Sequence, residues 1–376
     1  MGEELLAELN LRILEFSSTT DQQRAVKDKK DEENKGGDSP HRGELLMDAT
    51  VSPQDISYPT DVNLLNEARQ ITEKIIDLLH TPGGKKPGTY RKTARKEYLK
   101  VARNRNPTRK EVRKAVSKQL GYERRNIACI HRTLDELEYF PLPEKMQRRF
   151  WVVQTLYDQH PEMYTQGKHS IEDRIVSIHQ PHVRPMVRNK AGAKVEFGSK
   201  LHLSPVDGFA FLDTISWDAF HQGARLAEYV ENYKQRFGFY PKRVLADQLC
   251  WSRGNRNWLK ERNIKLAARP LGRPCAQAVA NHISPAERNP IEGKFGQAKR
   301  GYGMNRIQAR LKQTSQSWIA TIILVLNLVK LAGQAPLCLS FSAWNGWIGS
   351  CLAVWRSILN CWSVNRCDHR PIQGCF

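Results

Sequence analysis

An α/β fold, in which a mixed sheet is flanked by helices, is what this sequence predicts, and three observations carry the reading. Short apolar runs, two of them ending in an acid, alternate with segments of helical period, the pattern of strands and helices that pack on one another. A long, basic, helix-patterned stretch interrupts that alternation directly after the first strand. Finally, 40% of the 376 residues are hydrophobic, enough for a sizeable core in one large domain or two.

The elements follow in order. Residues 1–43 read as a leader: a short helix over 2–16, then the polar, Gly-containing run DKKDEENKGGDSPHRG, whose composition suits a flexible linker. GELLMDATVS, residues 43–52, sets Leu45, Leu46, Met47 and Val51 around a single Asp48, the pattern of a mostly buried strand. Thr60 or Asp61 caps a helix running to His80, with Leu64, Ala68, Ile71, Ile75 and Leu79 on one face. Pro82, Gly83 and Gly84 break it. Further helices through 85–125, LDELEYF and PEKMQRRFWVVQTLYDQH make 61–165 a mainly helical insertion.

Strand patterns return at 174–178, 196–203 and 209–215, and Asp207–Gly208 between the last two is a hairpin signal. A helix is expected over 224–235, then the apolar strand RVLAD at 243–247, a helix near 254–263 and a strand at 264–268. A helix around Glu292 and another over 307–330 close a core of residues 44–333. Residues 334–376 form a separate tail with four Trp and five Cys. Its apolar run approaches membrane-spanning length, but Ser, Asn, Gly and Arg interrupt it, so no membrane partner is favoured.

A formal net charge of +20 points to a polyanionic partner, with nucleic acid ahead of an acidic membrane surface. The Met1 end lacks a cationic stretch followed by an apolar segment, so no secretory signal is read there. The eight cysteines form no CxxC pair, which fits a reduced compartment. Between 85 and 125 stand sixteen Lys and Arg against three Glu. That run is too one-signed for helix faces that pair with themselves. We read Arg91, Lys92, Arg95, Lys96, Arg109, Lys110, Arg113 and Lys114 as contacts to the DNA backbone. Tyr90 and Tyr98 are open between stacking on bases and packing on the helices.

Three acids stand out by position. Asp48 and Asp247 sit near strand ends, where open α/β sheets gather their sites, and Glu292 lies on an amphipathic helix. At about 100° per residue, Arg288, Glu292 and Lys299 share one narrow arc, beside a stripe of Ile291, Phe295, Ala298 and Tyr302. A solvated helix with paired charges would look the same. Three converging carboxylates would instead make an oxygen-rich pocket suited to Mg²⁺.

The spacing Arg, three residues, Glu, six residues, Lys at Arg288, Glu292 and Lys299 resembles the Y-R-E-K signature of DDE transposases from bacterial insertion sequences, the insertion-sequence-four and insertion-sequence-five-like group. The Tyr position holds Pro285 here. LLMDATVSPQDISYPTD resembles that family's first-Asp strand, VLADQLCWSRGNRNWLKERNIKL its second-Asp strand and following helix, and EFGSKLHLSPVDGFAFLD the hairpin between. The resemblance spans about residues 43–333. It implies an RNase H-like core, with Asp48, Asp247 and Glu292 as catalytic ligands of Mg²⁺ (Mn²⁺ as a substitute) and Arg288 and Lys299 on DNA phosphates. It implies cleavage at element ends and strand transfer into double-stranded target DNA, self-association during synapsis, and a cytoplasmic, nucleoid-associated bacterial location. Members usually carry a helical end-binding domain before the first Asp, so the leader is expected to be a remnant of such a region. Two alternatives stand beside this reading: a non-catalytic nucleic-acid binder, and an RNase H-like nuclease that hydrolyses without joining.

Overall fold

The computed structural model describes residues 5, 6, 8–13, 41–80, 87–137, 139, 141–168, 170–187, 195–267, 287 and 289–334. Contact density divides the chain into residues 1–328 and 329–376; of the second unit, only 329–334, the end of a helix, are described. The Trp/Cys-rich tail, Arg288 and Pro285 lie outside the described residues.

Helices α1 (Asp61–Leu79), α2 (Arg91–Ala102), α3 (Arg109–Asp135) and α4 (Glu144–Gln166) form the expected helical insertion. Thr60 caps α1, its hydroxyl accepting from Asn63 N at 3.3 Å. Thr108 and Glu111 form a reciprocal capping box at the start of α3, satisfying two donors the helix leaves over. Leu65, Ala68, Ile71 and Ile75 of α1 pack with Val116 and Ile130 of α3 and with Phe150, Val153 and Leu156 of α4.

That helical core also buries a polar cluster. Arg69 pairs with Glu73 and donates to Asn66 Oδ1. The Thr72 hydroxyl lies 3.0 Å from Arg69 O and 3.1 Å from Glu123 Oε2, and it accepts from Asn126 Nδ2. One hydroxyl hydrogen cannot serve both oxygens. A protonated Glu123 resolves this by donating to Thr72, which then donates to the backbone. Burial, reinforced by the Glu73 charge and opposed by Thr72 and Arg69, pushes the Glu123 pKa up to about 8.

The strand segment 44–53 links two sheets. Its first part, β1 (Glu44–Leu46), runs parallel to β6 (Arg243–Leu245), which in turn pairs in parallel with β7 (Lys265–Leu266). Its second part, β2 (Asp48–Pro53), pairs antiparallel with β4 (Val195–Val206). β4 also pairs antiparallel with β3 (Arg184–Val187) and β5 (Phe209–Ser216). Asp207 and Gly208, both at positive φ, turn the β4–β5 hairpin as expected. Gly198 permits close strand approach: a Cβ there would collide with Ser52 O.

Helices α5 (Leu226–Phe237), α6 (Arg253–Glu261), α7 (Asn289–Gly301) and α8 (Lys312–Gln334) complete the fold. Ile291, Phe295 and Ala298 of α7 and Ile319, Ile322, Ile323 and Leu326 of α8 share one core with Leu46, Leu201, Leu203 and Leu245. Each such aliphatic side chain contributes about 1.5–3 kcal/mol on burial. Lys312–Gly333 is long and apolar enough to cross a membrane, but it is anchored to β5. Asn327 Oδ1 accepts from Ala210 N, and its Nδ2 donates to Ala210 O, each at 2.8 Å.

Three expectations need correction. Residues 174–178 form no strand; they follow a turn with Asp173 at positive φ, and Ile175 N bonds to the Gln159 side chain instead of a ladder. The third antiparallel strand is β3, whose Pro185 and exposed Val187 hid it. Helix α8 begins at Lys312, because Ile307 is spent on a bridge to Gln54.

On the sheet, buried Asp213 is held by His202 Nδ1–H (3.1 Å), Ser204 Oγ (3.0 Å) and Arg236 (3.0 Å). Burial alone would raise its pKa; the His202 hydrogen bond and charge, Arg236 and Ser204 outweigh that and hold it low. Its contribution to stability is therefore present above the ordinary carboxylate pKa and lost as pH falls through the lowered one. Asp213→Asn should cost about 3 kcal/mol at neutral pH, measured by chemical denaturation, because it strands buried partners. Glu123 has the opposite sign. Stability should decline as pH rises from the ordinary carboxylate range through about 8. Thermal melts across that range should show a shallower slope for Glu123→Gln.

Candidate functional site

Asp48 and Asp247 each follow the parallel pair of β1 and β6. Leu46 is in register with Leu245, and Met47 N donates to Leu245 O at 3.0 Å. Each aspartate stands two residues beyond that pair: Asp247 follows the end of β6, whereas Asp48, expected near the end of its strand, is the first residue of β2, because the chain continues into the antiparallel ladder with β4. Asp48 stands opposite Leu203 in the β2–β4 ladder, and Leu203 lies in the same core as Leu46 and Leu245. Leu46 and Leu245 pack in the core that contains Ile291, Phe295 and Ala298 of α7. Helix α7, which carries Glu292, thus packs on the same side of these strands as the two leucines.

The surroundings order these carboxylates. Asp48 Oδ1 accepts from Ala49 N at 2.7 Å and from the buried Gln222 Nε2 at 3.5 Å. Asp247 Oδ1 accepts from Gln248 N at 2.7 Å and caps the short turn Gln248–Cys250. Gly223 lies so close to that turn that a Cβ would collide with Leu249 O. Asn255 Nδ2 then joins the two loops, donating to Gly223 O at 2.7 Å and to Cys250 O at 2.9 Å. Sequence reasoning missed Gln222 and Asn255. The Ser252 cap, which accepts from Asn255 N, marks a helix start but says nothing of bonds to a loop 32 residues away.

Glu292 is exposed on α7, next to buried Ile291, and Lys299 is half-buried on the same helix. Lys294 between them is partly buried, and desolvation pushes its pKa down. The paired aspartates are hard oxygen donors of the kind Mg²⁺ takes. Among the described residues, however, no three His, Cys, Asp or Glu side chains are grouped to hold a metal ion. Asp48 and Asp247 each follow the β1–β6 pair by two residues, and Glu292 lies exposed on α7 without joining a ligand group among the described residues.

The basic candidates divide. Lys92, Arg95, Lys96, Arg109, Lys110, Arg113 and Lys114 are exposed along α2 and the start of α3. Arg91 is committed inside the protein, donating to Asp77 Oδ1 at 2.7 Å and Glu73 O at 2.8 Å. The Arg113 guanidinium lies 4.5 Å over the Tyr164 ring. Tyr98 donates to Asn63 Oδ1 and packs on the helical core, while Tyr90 is exposed.

Residues 244–329 match the family model described as the transposase DDE domain. That segment includes Asp247, Glu292 and Lys299; Asp48 precedes it. No curated protein and no solved structure matches the chain. The family match supports a DDE transposase, an enzyme class that acts on DNA and generally uses a divalent metal.

Asn255→Ala should leave two carbonyls without their shared donor and lower stability by about 1–3 kcal/mol. Hydrogen exchange should show the 248–250 turn opening more readily, with α1–α4 unchanged.

Proposed function

We propose that this protein is a DDE transposase of bacterial insertion sequences, with an RNase H-like core, which cleaves element ends and transfers strands into target DNA. The observation that carries the reading is the parallel register of β1 with β6, which Asp48 and Asp247 each follow by two residues, with α7 packed on the core that holds Leu46 and Leu245. The family match over 244–329 supports it.

In this reading Asp48, Asp247 and Glu292 hold Mg²⁺, with Mn²⁺ as a substitute. When bound, the metal supplies Lewis-acid activation and charge neutralisation at the phosphate. Gln222 and the 248–250 turn fix the two aspartates. Glu292 completes the set by a side-chain movement within its exposed position. Arg288 and Lys299 hold phosphates beside the reacting strand, and the exposed cations of α2 and α3 bind the DNA backbone. Two copies associate at synapsis, and the protein works in the cytoplasm at the nucleoid.

The exposed Glu292 and the lack of a three-carboxylate group among the described residues favour one second reading, a nucleic-acid binder that does not cleave. Labelled DNA bearing candidate ends, incubated with Mg²⁺ or with EDTA, separates the two. Metal-dependent nicking that falls at least 100-fold in Glu292→Gln is the expected result, on the order of losing a group that stabilises transition-state charge. Equal nicking by that variant overturns the site. Salt-sensitive binding without nicking establishes the second reading. Joined products, as opposed to nicks alone, distinguish transfer from hydrolysis.

A further inference from the structure

The geometry of the insertion points to a stacking platform for an unpaired nucleobase, built by Tyr90, Tyr122 and Arg125, and we infer that the DNA bound there carries a single-stranded or unpaired stretch. This rests on the proposed DNA-binding reading but not on the metal site. Tyr90, directly before α2, is 54% exposed. Its carbonyl accepts from Ala94 N at 2.8 Å, and the next residue, Arg91, is tied to α1 through Asp77 and Glu73. The tyrosine is thus presented from a fixed backbone, which lowers the ordering cost of binding.

Its ring does not stand alone. Tyr122 of α3 lies 6.0 Å away, tilted by 37°. The Arg125 guanidinium lies 4.5 Å over the Tyr90 ring and 5.2 Å over Tyr122. A guanidinium stacked on an aromatic face is held flat while its edge donors remain able to meet phosphate oxygens. Arg124 and Arg125 are exposed on α3, and Lys92, Arg95 and Lys96 are exposed on α2. Exposed aromatic rings among cations that track a backbone are the chemistry of single-strand recognition, because every base offers a π-face. A double helix keeps its bases stacked on one another, so Tyr90 can meet a base face only when a base is released. Tyr98, eight residues on, shows the contrast: its hydroxyl and ring are used inside the fold.

The test uses full-length protein in EDTA, which excludes cleavage, and two fluorescent probes of equal length: a blunt duplex and a duplex with a short single-stranded tail containing 2-aminopurine. Tyr90→Ala should weaken binding of the tailed probe about 10-fold and relieve quenching of the 2-aminopurine, with binding of the blunt duplex unchanged. Tyr90→Phe should keep both properties, since the ring and not the hydroxyl stacks. Equal loss on both probes, or no change on either, overturns the platform and leaves the transposase reading standing. Failure of the unaltered protein to bind either probe at low salt overturns both.

Discussion

The backbone pairing of segment 44–53 is the constraint on which the site and the two sheets depend. Its first residues complete a parallel ladder with β6, and from Asp48 onward it turns its hydrogen bonds to β4. Met47 N, still bonded to Leu245 O, is the point of exchange. That register sets Asp48 and Asp247 each two residues past the Leu46–Leu245 pair. A slip by one residue would send Asp48 to the opposite face and Leu46 out of the core.

The packing on that face is apolar and continuous. Leu46 and Leu245 from the strands, Ile291, Phe295 and Ala298 from α7, and Ile319, Ile323 and Leu326 from α8 share it. The acids lie at its edge, where a carboxylate keeps access to solvent and avoids the cost of burial. The loops beyond the strands are tied by Asn255 and by the close contact at Gly223, so the second aspartate is held by backbone geometry as well as by its own cap. The helical insertion has a separate apolar core, and its buried Glu123–Thr72–Asn126 cluster belongs to that core alone.

Much of this was legible beforehand because it depends on local periodicity. The Thr60 cap, the apolar stripe of α1, the Asp207–Gly208 turn and the apolar strand ending near Asp247 are written in spacings of two, three and four residues. β3 was not legible: Pro185 weakens its pattern, and only pairing with β4 makes it a strand. The start of α8 was misread because Ile307, apolar and in phase with the helix, is drawn into a bridge with Gln54, over 250 residues earlier in sequence. Arg91 looked like its basic neighbours, yet Asp77 one helix away claims it.

By itself the sequence determined the α/β alternation, the basic helical insertion and the three acids, since charge, apolar period and turn chemistry are properties of short windows. Tertiary structure decided what those residues meet. It paired the strand before Asp48 with the strand before Asp247 in a parallel register no local pattern encodes, and brought in Gln222 and Asn255 from distant segments. It left Glu292 exposed on its helix, and it separated Tyr98, spent on internal packing, from Tyr90, exposed beside Arg125. Neighbours far apart in sequence are chosen by which faces can be buried together, and that choice is made only when the whole chain folds.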